Sequence, residues 1–101
     1  MATFRLGMEL IQRVDSNSAT NLLFLVAGKL RLSSLGMVYT SNRKLAGEIG
    51  ISDRAVGKSM NKLIDVGLVK KGNGKVMVNP KCFWVGSTGE RVRGVAIWEK
   101  L

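Results

Sequence analysis

Residues Asn42 to Val66 read NRKLAGEIGISDRAVGKSMNKLIDV, and their spacing decides the fold. Two short helical patterns flank a Gly50-Ile51-Ser52 turn. The first carries Leu45, Ala46 and Ile49 at i, i+1 and i+4. The second carries Val56, Met60, Leu63 and Ile64 at i, i+4, i+7 and i+8. Each set forms one apolar stripe at helical period. Ala46 is small where two helices must cross closely, and Gly50 permits the positive φ of a tight turn. Ser52 is placed to cap the second helix, a contribution of about 1 kcal/mol. An ordinary helical hairpin shares the periodicity but does not need Ala46, Gly50 and Val56 at this spacing. The pattern therefore predicts a helix-turn-helix. The open side of its second helix carries Asp53, Arg54, Gly57, Lys58, Asn61 and Lys62, a basic, hydrogen-bonding face suited to the major groove of DNA.

The stretch that follows extends the motif. Gly67 stands where a left-handed residue closes a helix. Leu68 to Lys71 and Lys75 to Asn79 are short runs around Gly72-Asn73-Gly74, which predicts a β-hairpin over 68–79. A basic hairpin directly after a recognition helix is the wing of a winged helix. Arg54, Lys58 and Asn61 are the candidates for base edges, since Arg suits guanine and Asn suits adenine. Asp53 either accepts from cytosine or supports the helix N-terminus, and the second fits it better. Arg43, Lys44, Lys62, Lys70, Lys71 and Lys75 are candidate phosphate ligands, with Asn73 at the wing tip. Asn42, Arg43 and Lys44 would sit at a helix start capped by Thr40 or Ser41, where free N–H groups also favour a phosphate.

The flanking segments supply scaffold. Residues 1–15 form an N-terminal segment, extended at first and helical from about Met8 to Val14. Ser16 follows as part of a polar, capping break. A helix over 19–31 is apolar on a broad arc through Leu22, Leu23, Leu25, Val26 and Leu30, as a central buried helix should be. Met37 to Tyr39 reads as a short strand. Pro80 ends the wing, and Phe83-Trp84-Val85 closes a core. A last helix over 90–100 is expected to use Val92, Val95, Ala96 and Ile97 or Trp98 as its apolar side. The whole is one domain of 101 residues. Its class is α+β, mainly α: a winged helix-turn-helix with a β-hairpin wing and flanking helices.

Composition narrows the function. The chain is 46% hydrophobic, enough for a core, and carries a net charge of +9. Residues 43–81 hold nine Lys or Arg against three acids, so the excess lies over the motif and wing. Such a surface calls for a polyanion, because neutralising phosphates releases counterions. With no histidine and one cysteine, Cys82, a zinc site of the usual kind cannot be assembled, and imidazole chemistry is excluded. No metal or cofactor is expected. The seven acids are scattered, without the close pair that two-metal nucleases need. Gly57-Lys58-Ser59 imitates the tail of a phosphate-binding loop, but Ser52 stands where its first glycine belongs. An enzyme is therefore not expected. The first fifteen residues carry charge throughout, unlike a secretory signal. The longest apolar run, Leu22 to Ala27, falls well short of the ~20 residues that cross a bilayer. A cytoplasmic protein is the expectation, in keeping with a single thiol.

The segment VYTSNRKLAGEIGISDRAVGKSMNKLIDVGLVKK, a glycine turn, then VMVNPKCFWVGS resembles the winged-helix proteins of plasmid replication, particularly the firmicute initiators of the RepL type. The Val78-Asn79-Pro80 exit and the aromatic pair before Gly86-Ser87 are its more distinctive part. The resemblance covers about residues 20–88 and implies double-stranded DNA as ligand. By position it implies a recognition helix at Ser52–Val66 and a wing at Lys70–Lys75. The chain is short for an initiator, which must also recruit replication machinery. Sequence reading accordingly puts a transcriptional regulator of a plasmid, phage or other mobile element first. A replication initiator or a partition (centromere-binding) protein comes second. A homodimer on an inverted repeat is expected, with half-sites ~34 Å apart.

Overall fold

A computed structural model describes residues 1–101. The motif forms as its caps dictate. Helix α3 (Asn42–Ile49) begins at Ser41, whose hydroxyl accepts from the Lys44 N–H. It ends at Gly50, left-handed at φ 81°, where the Gly50 and Ile51 N–H groups both bond to the Ala46 carbonyl. Helix α4 (Asp53–Asp65) begins at Ser52, whose hydroxyl accepts from the Ala55 N–H. At its far end Gly67 takes φ 86°. Leu68 N–H then reaches back to the Leu63 carbonyl and Gly67 N–H to that of Ile64, a Schellman closure. Leu63 and Leu68 are both fully buried, the apolar contact that accompanies such an ending.

Around this pair stand three further helices and two small sheets. In chain order these are β1 (Ala2–Thr3), α1 (Arg5–Arg13), α2 (Asn17–Ala27) and β2 (Met37–Val38) before the motif. After it come β3 (Val69–Gly72), β4 (Lys75–Val78), β5 (Phe83–Trp84) and α5 (Thr88–Lys100). Strands β3 and β4 form the predicted hairpin, with Gly72 opposite Lys75 and Asn73-Gly74 as its turn. Strand β2 adds antiparallel on the far side of β4, giving the order β2-β4-β3. Helix, strand, helix-turn-helix and hairpin in this order, on this three-stranded sheet, make a winged helix-turn-helix.

The core lies between α2, the motif and the inner face of the sheet. Leu22, Leu23, Leu45, Val56, Leu63 and Val76 are its fully buried centre. The apolar stripes of the sequence supply it, apart from Ile49, which sits at the exposed end of α3 and is 39% exposed; Ile51, in the turn, is 40% exposed. Helix α2 is shifted toward the N-terminus relative to the expected 19–31. Ser16 caps it by accepting from Ala19 N–H, and tight turns at Lys29 and Leu30 end it early and return Leu30 to the core.

The chain termini depart furthest from expectation. Strand β1 pairs with β5, and Phe4 N–H donates to the Cys82 carbonyl at 2.8 Å. Anchored there, the chain enters α1 at Arg5, ahead of the expected Met8. Gly7 is then pressed onto the same residue: a Cβ at position 7 would stand 2.8 Å from the Cys82 carbonyl oxygen. Helix α5 meets its expected apolar side only in part: Trp98 is buried as expected and Val95 is half-buried, but Ala96 is exposed. Val92 is 66% exposed, and the buried residues are Gly94 and Trp98. A Cβ on Gly94 would lie 2.6 Å from the Trp84 ring, so the absence of a side chain is what admits the indole. Met77 and Lys70, paired across the hairpin, alternate with the core residues Val76, Val78 and Val69 and so face α5.

Asn79 ties the wing to the motif. Its Nδ2 donates to the Gly67 carbonyl at 2.8 Å and its Oδ1 accepts from Lys81 N–H at 2.9 Å. Its backbone N–H bonds to the Leu68 carbonyl. One buried amide thus joins the end of α4 to the strap leaving β4.

Candidate nucleic-acid interface

Helix α4 divides cleanly. Val56, Ser59, Met60 and Leu63 face inward, while Asp53, Arg54, Lys58, Asn61 and Lys62 are all exposed. The ion pairs of the molecule, Arg5–Glu9, Lys29–Glu48 and Lys81–Glu99, lie elsewhere. The cations of α4 therefore stand without a carboxylate partner. Cations so placed are available to an external anion at no cost in broken pairs.

Two neighbours frame this face. At the start of α3, Arg43 and Lys44 are exposed beside the Ser41 cap. Asn42 is half-buried against α4, with Gly57 opposite it: a Cβ there would lie 3.5 Å from the Asn42 Nδ2. Its Oδ1 is buried without a partner. Asn42 therefore belongs to the seam between the two helices. Ser52 spends its lone pair on the cap of α4 while its hydroxyl remains exposed and free to donate.

The wing supplies the other neighbour, and its lysines part company. Lys71 and Asn73 are exposed and Lys75 is half-buried. Lys70, grouped by sequence with the phosphate ligands, has its ammonium on α5. It donates to the Trp98 carbonyl at 2.7 Å and lies 4.5 Å from the centre of the Trp98 ring. Cations favour a helix C-terminus and an indole face, which explains why it is drawn away from the wing surface. Alternation along β3 separates it from Lys71.

Two features of this surface were missed in the sequence. Ser16 and Ser18, at the start of α2, share a cleft of about 260 Å³ with Lys58 and Lys62, so a third helix N-terminus borders the basic face. The capping serine was the visible signal, but nothing local said which way it faced. Tyr39 lies one residue beyond Val38, the partner of Val76, and so stands level with Lys75; it is 77% exposed.

Cys82 is fully buried, and that burial raises the pKa of its thiol to about 11. No helix is long and apolar enough to cross a membrane.

A family model described as firmicute plasmid replication protein (RepL) matches residues 7–100. Comparison with the curated proteins and with the solved structures returns no match.

Proposed function

The chain belongs to the firmicute plasmid replication protein family, and from that premise we propose that it is a sequence-specific double-stranded DNA-binding protein acting at a plasmid origin. Helix α4 enters the major groove, Arg54, Lys58 and Asn61 meet base edges, and Arg43, Lys44, Lys62, Lys71 and Lys75 hold phosphates. The observation that carries this reading is the exposed face of α4, whose cations have no carboxylate partner, bordered by helix N-termini and the wing. Family membership moves replication initiation ahead of the transcriptional regulation that sequence reading preferred. A homodimer on an inverted repeat is part of the proposal.

Fluorescence anisotropy against the DNA flanking the coding region tests the binding. A fragment bound more tightly than random duplex, with a steep salt dependence, supports the reading; equal affinity for all duplexes at modest ionic strength overturns its specificity. Origin firing in a plasmid lacking its own initiator supports the replication role. Repression of a reporter with no origin activity returns the chain to the regulators.

A further inference from the structure

A second groove lies away from α4, along the edge of β2 that no strand covers. Sheet order β2-β4-β3 leaves that edge unpaired. The opening has a volume of about 310 Å³ and is lined by Lys29, Arg31, Ser34, Met37, Val38 and Tyr39. Lys29 is held by Glu48 at 2.8 Å, so Arg31 supplies the free charge.

Three observations mark this groove. First, Tyr39 at 77% and Leu32 at 72% are the most exposed large hydrophobic side chains of the molecule, and both belong to its walls or to the loop that forms them. Second, that loop is strained: Ser33 and Leu35 are left-handed at φ 67° and 53°, followed by Gly36 at 85°. Non-glycine residues pay to adopt this region, and such outliers gather where a chain is shaped for a ligand. Third, Tyr39 is level with Lys75 of the wing, so the groove opens beside the surface assigned above to the duplex.

We propose that this groove holds a single-stranded segment of DNA, with Tyr39 stacking on an unpaired base and Arg31 meeting the backbone. The inference rests on the reading of the chain as a DNA-binding replication protein. A duplex turns its bases inward and offers phosphates and groove edges, from which an exposed aromatic ring gains little. An unpaired base offers a π-face, and aromatic stacking beside a cation is the usual means of holding single strands. A chain of net charge +9 favours the polyanion over an apolar protein surface.

The test compares the full chain with Tyr39→Ala and Tyr39→Phe. The probes are a labelled mixed-sequence strand of about 12 nucleotides and the duplex made from it. Tyr39→Ala is expected to weaken single-strand binding about fivefold or more, and Tyr39→Phe by less than about twofold, because stacking needs the ring and not the hydroxyl. Duplex affinity stays within about twofold in both, because stacking on an unpaired base is confined to the single strand. Single-strand binding that is absent, or indifferent to Tyr39→Ala, overturns the proposal and leaves the groove to a protein partner. Equal loss in both variants makes the hydroxyl the contact and overturns it too, as does parallel loss on the duplex. Absence of wild-type duplex binding, with single-strand binding that depends on the Tyr39 ring, would instead sink the earlier reading and spare this one.

Discussion

Two groups of cations in this molecule behave differently, and composition does not distinguish them. Those on the outer face of α4 and the wing tip, Arg54, Lys58, Lys62 and Lys71, are exposed and have no carboxylate partner. Lys70, Lys81 and Arg91, around α5, are occupied. Lys70 bonds to the Trp98 carbonyl. Lys81 pairs with Glu99, holding that carboxyl below its usual range. Arg91 donates to the Pro80 carbonyl at 2.8 Å, with its guanidinium 3.6 Å from the centre of the Phe4 ring. One group is free for a ligand while the other holds the terminal segments to the wing. Net charge counts both alike, although only the first can answer a phosphate.

Substitution should separate the groups, and the largest effect is expected at the α5 end. Arg91→Met removes a charged hydrogen bond and a cation–π contact, and should cost about 2–3 kcal/mol of stability in urea denaturation. Duplex affinity of the folded variant should not change; a parallel loss would erase the distinction. Arg54→Ala should do the converse. It should cost about 1–3 kcal/mol on the preferred DNA fragment, far less on random duplex, and under about 0.5 kcal/mol of stability. Equal loss on both DNAs would make Arg54 a phosphate contact.

The adjacent lysines give the sharpest comparison with smaller effects. Lys70→Met should cost about 1 kcal/mol of stability and leave the salt slope of DNA binding unchanged. Lys71→Ala should leave stability alone and lower that slope by about one unit. Identical behaviour of the two would mean that β alternation does not sort them. The last effect, absent at neutral pH, is at Cys82. With its thiol raised to about 11 by burial, the folded chain keeps a proton that the unfolded chain loses near 9. Its contribution to stability should therefore fall as pH rises between about 9 and 11. Labelling by a thiol reagent at neutral pH should be slow in the native chain and fast in urea.

Local chemistry made the centre of this fold legible. Ser41 and Ser52 cap the helices, Gly50 and Gly67 end them, and the periodic apolar residues fill the core. All of these act within a few residues of one another. What was hidden depends on partners distant in the chain. The pairing of β1 with β5 left no periodic trace at Ala2–Thr3. The seat of α5 is marked by Gly94, which as a sequence looks like a weak helix position rather than a contact. The exposed basic residues of α4 and the tip of the wing were placed on the surface as expected. Lys70 was not, because deciding between it and Lys71 required knowing which face of the hairpin α5 covers. Tyr39 stayed unnoticed because its importance comes from its register with Lys75.

The Asn79 amide has a consequence for recognition. By joining the terminus of α4 to the exit of the hairpin, it turns two reading heads into the jaws of a calliper whose gap is set. On the proposed DNA-binding mode, the instrument gauges the separation of a major groove from the backbone beside it. Helical phase would then count along with base identity.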